Sequence, residues 1–341
     1  MNNIVFLVAG GTGGHLFPAI SLAKSFKNKK PIFLIDKRVE KIFFDKDFDY
    51  FVIPSSKIHN IIIKFPLIFF KISIGFIYSF FLILKKKPSI VVGFGGYTSI
   101  PAILAAKILN KKIIIHEQNS IMGRTNRILS KVADKITINY KNTIFADKTA
   151  IVTGIPIRIG KKFIKENRKK KTILVIGGSQ GAKFFSEAMI KIVKNLNHQE
   201  KKKIFIVQQI LLEDKEEISK FYQKLNLDYK VSDFFENIYH EFYNADIILS
   251  RCGASSLAEI EYFKKFSILF PLPSATNNHQ YKNALEFKKN NKCEIFMQNN
   301  IDFKKLTKVL KNQVFSNNNT RSHPKKQKKL SLEAIINDML S

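Results

Sequence analysis

Ile4-Val5-Phe6-Leu7-Val8-Ala9-Gly10-Gly11-Thr12-Gly13-Gly14-His15, with the helical stretch Pro18–Lys27 behind it, decides the fold. An unbroken apolar run suits a strand buried on both faces, as in a parallel sheet. The glycines that follow let the backbone approach a ligand. The helix N-terminus behind them favours an anion or a polar ligand edge. Four glycines with Thr12 and His15 are more than a tight turn needs. The dinucleotide fingerprint G-x-G-x-x-G is broken here, because counting from Gly11 the third glycine position holds Leu16. The next strand, Pro31–Ile35, ends at Asp36, where the ribose-binding acid of a dinucleotide fold would stand.

Outward from this unit the pattern repeats. Ser89–Gly93 reads as a strand running into Gly93-Phe94-Gly95-Gly96-Tyr97, and Lys112–Ile115 as one running into His116-Glu117-Gln118-Asn119. Helices are expected at Pro101–Leu109 and Thr125–Ala133, and short strands at Ile136–Asn139 and Ala150–Thr153. Strands alternating with helices predict a doubly wound α/β sheet, with the three loops gathered at its carboxyl edge, where open sheets of this kind bind ligands. Gly154–Arg158 and the charged run Lys161–Lys171 interrupt the pattern, which restarts at Thr172–Ile176. Gly177-Gly178-Ser179-Gln180-Gly181-Ala182 follows that strand and is suited to cradle a diphosphate. Strands Ile204–Gln208, Tyr229–Val231, Ile247–Leu249 and Ser267–Phe270 come next. Arg251 to Glu259 and Asn277 to Ala284 are polar loops opening into helices, with Glu259 placed as a ribose-binding acid and the amides suited to sugar hydroxyls. The expected division is residues 1–157, residues 158–320, and a tail of residues 321–341, helical at Ser331–Leu340, that can pack back on the first domain.

A chain of 341 residues is long enough for two such domains. Lys+Arg of 57 against Asp+Glu of 27 gives a net charge of +30, yet only seven of the basic residues are arginine. So lysine-heavy an excess fits either AT-rich codon usage, which spreads Lys, Asn, Ile and Phe, or attraction to an anionic surface. The scarcity of arginine speaks against nucleic acid as a partner. Cys252 and Cys293 have no metal-ligand spacing and fit a reducing compartment, with Cys252 a structural thiol. Asp45-Lys46-Asp47 and Asp47-Phe48-Asp49 match an Asp-x-Asp metal motif but lie in a polar connection away from the sheet edge, so no metal is expected. No secretory signal is visible at the start. Ile61–Leu84 is the one apolar stretch of note. It is broken by Lys64, Pro66 and Lys71, and its longest uncharged run, Ile72–Leu84, is shorter than a span needs, which predicts helices lying at a membrane interface or against the core.

The set GGTGGH, GFGGY, HEQN, GIPIR, GGSQGA, RCGASSLAE and NNHQYKNA, in this order over about residues 4–290, resembles the MurG family of peptidoglycan glycosyltransferases. The resemblance implies a GT-B fold of two Rossmann-like domains facing a cleft. It implies an inverting transfer of N-acetylglucosamine from UDP-N-acetylglucosamine to the C4 hydroxyl of lipid I, with no cofactor and no catalytic metal. It implies a peripheral seat on the cytoplasmic face of the bacterial inner membrane. By this resemblance Thr12, Gly13 and Gly14 lie near the donor sugar and the acceptor, and Asn119 binds the donor sugar. Arg158 and Ser179 meet the diphosphate, and the uracil sits near Phe235. Ala254, Ser255, Ser256, Leu257, Ala258 and Glu259 hold the nucleoside, and Gln280 binds the sugar. His15 is the candidate base, or the organiser of the acceptor phosphates. The chain departs from the family pattern in Ile155 for a usual Asn, in Cys252 for a common Ser, in Val207-Gln208-Gln209-Ile210 after a strand, and in its Lys-rich tail. The rival readings are another GT-B enzyme using a UDP-sugar, a nucleotide-binding oxidoreductase (favoured by Asp36 alone), and a non-enzymatic basic binder.

Overall fold

In a computed structural model the opening run forms an interior strand of a parallel sheet. The structure describes residues 3–41, 43, 47–55, 61–157, 163–177, 183–315 and 330–341, with the backbone alone for 61–68. The chain divides into two compact units, Met1–Ile159 with Gln327–Ser341, and Gly160–Lys326.

Unit 1 runs β1 (Ile4–Ala9), α1 (Gly13–Ser25), β2 (Lys30–Ile35), α2 (Lys37–Glu40), β3 (Asp49–Val52), α3 (Ile61–Lys86), β4 (Ile90–Gly93), α4 (Ser99–Ile108), β5 (Lys112–Glu117), α5 (Arg124–Leu129), β6 (Lys135–Ile138) and β7 (Ile151–Val152). Its seven strands are parallel, in the order β3-β2-β1-β4-β5-β6-β7. Both faces are covered. Val5, Leu7 and Ala9 of β1 join one apolar cluster, while Phe6 and Val8 join the other, following the two-residue period of a strand.

Unit 2 runs β8 (Lys171–Ile176), α6 (Lys183–Lys194), α7 (His198–Lys202), β9 (Ile204–Gln209), α8 (Lys215–Lys224), β10 (Asp228–Ser232), α9 (Ile238–Asn244), β11 (Ile247–Arg251), α10 (Ala254–Phe263), β12 (Phe266–Phe270), α11 (His279–Lys288), β13 (Cys293–Ile295) and α12 (Phe303–Phe315). Its six strands are also parallel, in the order β10-β9-β8-β11-β12-β13. In each sheet the order reverses beside the first strand, between β1 and β4 and between β8 and β11. That switch point opens a crevice beyond the strand ends.

The last helix, α13 (Leu332–Leu340), belongs to unit 1. Leu332, Ile335 and Ile336 are buried in the same cluster as Val5, Leu16 and Phe33. Ser331 caps the helix by accepting from Ala334 N. Lys29 Nζ donates to Asn337 Oδ1 and Lys112 Nζ to the Met339 carbonyl, fastening it from two sides.

Three local differences from the expected elements stand out. α1 starts at Gly13 rather than at Pro18, because the Thr12 carbonyl already accepts from His15 N and Leu16 N. Ile61–Lys86 is a single helix. Asp49–Val52, read as part of a polar connection, is an edge strand pinned by an ion pair from Lys30 to Asp49 at 2.9 Å. Asp45 lies outside the described residues and Asp47 is exposed. Among the described residues no group of three His, Cys, Asp or Glu is placed to hold a metal ion.

Candidate active site

The switch point of unit 1 is built by three interlocked loops. The first, Gly10 to His15, is held from beneath by Asp36, which is buried at the end of β2. Asp36 Oδ2 accepts from Gly11 N at 2.8 Å and from the Thr98 hydroxyl at 2.8 Å, and the Arg38 guanidinium forks onto both carboxylate oxygens. Asp36 Oδ1 also caps α2, accepting from Arg38 N and Val39 N. Burial alone would raise this carboxyl, but the hydrogen bonds from Arg38 and Thr98 and the Arg38 charge outweigh it and hold the carboxyl below its ordinary value.

The second loop lies directly on the first. A Cβ added to Gly96, whose φ is +78°, would sit 2.5 Å from the Gly10 carbonyl oxygen, so only glycine fits this crossing. At Gly95, φ +100°, an added Cβ would come within 3.0 Å of the His15 ring. The third loop follows β5. His116 is fully buried, 3.0 Å from the Thr137 hydroxyl, and burial pushes its imidazole down to about 3, so it is neutral. Glu117 is a clamp: Oε1 accepts from Asn119 N and Nδ2, and Oε2 from Gly123 N and Asn126 Nδ2. This fixes the amide of Asn119, which is partly exposed. Gln118 bridges the second and third loops to His15, with Oε1 3.1 Å from His15 Nδ1.

Unit 2 presents its own strand edge. Gly253 caps α10 with no side-chain cap hydrogen bond, and Ala254 to Glu259 form the first turns of that helix. A helix N-terminus favours the negative charge of a nucleotide. Leu257 is turned into the core, whereas Ser255, Ser256 and Glu259 are partly exposed. Glu259 accepts from the Tyr239 hydroxyl at 3.1 Å. Burial pushes its carboxyl up to about 7, and the Tyr239 hydrogen bond offsets only part of that rise. Gln280 Oε1 accepts from Cys252 N at 3.1 Å and Leu272 N at 3.0 Å, which ties two loops together. Cys252 is buried, and burial raises its thiol far above the ordinary range, as befits a structural residue. Phe235 is buried in the apolar cluster beside α10, with Lys230 Nζ 5.5 Å above its ring.

Residues 5–138 match the glycosyltransferase family 28 N-terminal domain, and residues 172–339 match the family's C-terminal domain. The UDP-N-acetylglucosamine--N-acetylmuramyl-(pentapeptide) pyrophosphoryl-undecaprenol N-acetylglucosamine transferase of Rickettsia canadensis is 39% identical over 317 residues, covering 89% of this chain and 88% of its own. A protein of the same name from the Wolbachia of Brugia malayi is 32% identical over 340 residues, 98% of this chain and 97% of its own. The crystal structure of Acinetobacter baumannii MurG superposes with a TM-score of 0.72 at 27% identity, covering 91% and 90%. The chain belongs to the MurG family. Its two parallel-sheet domains are those of the GT-B fold expected from the motifs.

Within this family frame, Thr12, Gly13, Gly14, His15 and Asn119 gather at the switch point of unit 1, and Ala254 to Glu259 with Gln280 gather at the strand edge of unit 2. Arg158 and Ser179 lie outside the described residues. Asp36 is a correction. It was the one feature favouring a nucleotide-binding oxidoreductase, and its oxygens are already filled by Gly11, Thr98, Arg38 and Val39, so it holds a loop rather than a ribose. Asp36-Lys37-Arg38-Val39 carries the signal that could have shown this, an N-cap acid just before a helix. Thr98, Asn126 and Tyr239 carry no motif signal, and their parts depend on the folded neighbourhood.

Proposed function

We propose that this chain is an inverting glycosyltransferase that moves N-acetylglucosamine from UDP-N-acetylglucosamine to the C4 hydroxyl of undecaprenyl-diphospho-N-acetylmuramoyl-pentapeptide, lipid I. The observation that carries the reading is identity of 32% to 39% over most of the chain with relatives that bear the name of that transferase. In this reading Glu259 accepts the ribose hydroxyls, Gln280 and Asn119 hold the sugar, and Arg158 and Ser179 meet the diphosphate. His15 takes the C4 hydroxyl proton as the oxygen attacks the anomeric carbon from the face opposite UDP. The anomeric C–O bond breaks and its electron pair leaves with the β-phosphate. The growing charge there is stabilised by backbone donors and helix N-termini, as preorganised dipoles do elsewhere. Turnover of UDP-N-acetylglucosamine with a lipid I analogue tests the assignment. UDP release coupled to a disaccharide-lipid product is expected. Epimerisation of the donor without acceptor, or transfer only to another acceptor, would defeat it.

Seating on the cytoplasmic face of the inner membrane is part of the same proposal. Phe70, Ile74, Ile77, Phe81 and Leu84 of α3 are exposed at steps of three and four, one face of the helix, with exposed Ile108 on neighbouring α4. Gly75 and Ser79 face the other way and are buried, and a Cβ on Gly75 would meet the Pro54 carbonyl at 2.2 Å. Lys85, Lys86 and Lys87 rim the stripe at its end. Among the described residues no helix is long and apolar enough to cross a membrane. An apolar stripe with a basic rim suits an anionic leaflet, where each Lys is worth about 1 kcal/mol. Co-sedimentation with anionic vesicles at low salt is expected, with release by carbonate and loss on changing Lys85, Lys86 and Lys87 to Glu. Indifference to anionic vesicles would remove the docking surface.

A further inference from the structure

His15 has two ring nitrogens, and only one that lacks a proton can take one from a hydroxyl. The structure specifies which. Gln118 is 1% exposed and its side-chain amide is hemmed in on both ends. One end lies 3.0 Å from the Phe94 carbonyl and 3.2 Å from the His116 carbonyl. Carbonyl oxygens only accept, so the NH2 group must face them, and an amide with its ends exchanged would set three oxygens against one another. The Gln118 oxygen therefore faces His15 Nδ1, at 3.1 Å. An amide oxygen cannot donate, so this contact is a hydrogen bond only if Nδ1 carries the hydrogen.

We propose that Gln118 is a positioning residue for glycosyl transfer: it holds His15 in the Nδ1–H tautomer and so leaves Nε2 with the free lone pair that receives the acceptor proton. The inference rests on the reading of His15 as the base. Which nitrogen of a neutral histidine keeps a free lone pair is set by the hydrogen bond that the other nitrogen makes. The two carbonyls that orient Gln118 belong to the second glycine loop and to the end of β5, so the tautomer is fixed by the meeting of all three loops. The ring itself is seated against Gly95, where a side chain would intrude. In the transfer step the C4 oxygen forms its bond to the anomeric carbon, its proton passes to His15 Nε2, and the electron pair of the broken C–O bond leaves with UDP. The resulting imidazolium still donates Nδ1–H to Gln118, so no partner changes during the step. The proton then passes from Nε2 to water.

The test is a long-range proton–nitrogen correlation spectrum of the full chain labelled with 15N at histidine, with the His15 signals assigned by their loss in His15→Ala. The wild-type protein is expected to show His15 with a protonated Nδ1 and a bare Nε2. In Gln118→Met, which keeps the length and loses the acceptor, the tautomers should mix and kcat should fall by at least about tenfold, with UDP affinity unchanged by calorimetry. A wild-type His15 protonated on Nε2 would overturn the assignment without recourse to any variant, and so would a Gln118→Met protein with unaltered tautomer and kcat. A His15→Ala protein that keeps kcat within about fivefold would overturn the base reading itself, whichever nitrogen bears the proton.

Discussion

Asp36 of unit 1 and Glu259 of unit 2 are both carboxylates drawn out of water near the ends of parallel strands, and they have opposite characters. Asp36 receives six hydrogen bonds, from Gly11, Thr98, and the backbone and guanidinium of Arg38 and the backbone of Val39, and is held below its ordinary value. Glu259 receives one among the described residues, from Tyr239, and is pushed up to about 7. A carboxylate whose lone pairs are all used is a structural tie. One with a single donor keeps lone pairs to spare, and in the proposed function the ribose hydroxyls take them.

The contrast can be broken most forcefully at Asp36. Replacing it with Ala strips the cap of α2 and leaves the Gly11 and Thr98 donors without their acceptor. A loss of roughly 3–5 kcal/mol of unit 1 stability is expected by denaturant titration. UDP affinity should be untouched, because the tie belongs to the other unit. A weakened UDP site with full stability would reverse the roles given to the two acids. The next largest effect is at Glu259. Glu259→Ala should cost about 1–3 kcal/mol of UDP binding by calorimetry, the worth of buried hydroxyls left unpaired, while the fold survives. Unchanged affinity would leave Glu259 without a ligand.

The smallest effect is in pH, and it has opposite signs at the two sites. Between 4.5 and about 7 the folded protein keeps a proton on Glu259 that the unfolded chain has released, so stability falls as pH rises through that window. Glu259→Gln removes this slope. Without UDP the variant should melt higher than wild type at pH 8, and the gain should vanish below pH 4.5. Saturating UDP should reverse the ranking at pH 8. Asp36 acts the other way: its contribution is present above 3.8 and is lost as pH falls through its lowered folded value. A Glu259→Gln melting point that tracks wild type at every pH would mean that Glu259 is not desolvated.

Much of this site was readable from local pattern. The apolar run of β1, the glycine loops after β1 and β4, and the first turns of α10 all stand where alternation and strand-end logic put them. What escaped are features made by distant residues. Asp36 sits at a strand end, as a ribose acid would, and only the approach of Gly11 and Thr98 shows that its oxygens are taken. Gln118 stands in a motif, but its orienting carbonyls come from Phe94 and His116, and no spacing rule forecasts an amide trapped between them. β3 and α2 escaped for another reason: each has four residues, too few for any period to declare itself.

The burial of α13 in unit 1 has a consequence for how the protein is made. Leu332, Ile335 and Ile336 complete an apolar layer that also holds Val5 and Leu7, so unit 1 needs chain from both sides of unit 2 and closes only after unit 2 has been translated. Its sheet waits while residues 160–326 are translated, roughly 10–30 s at common elongation rates. Throughout that interval the groove meant for α13 is open to chaperones and to other nascent chains. A premature stop late in the message would leave unit 2 with its own core while the earlier unit lacked its closing helix.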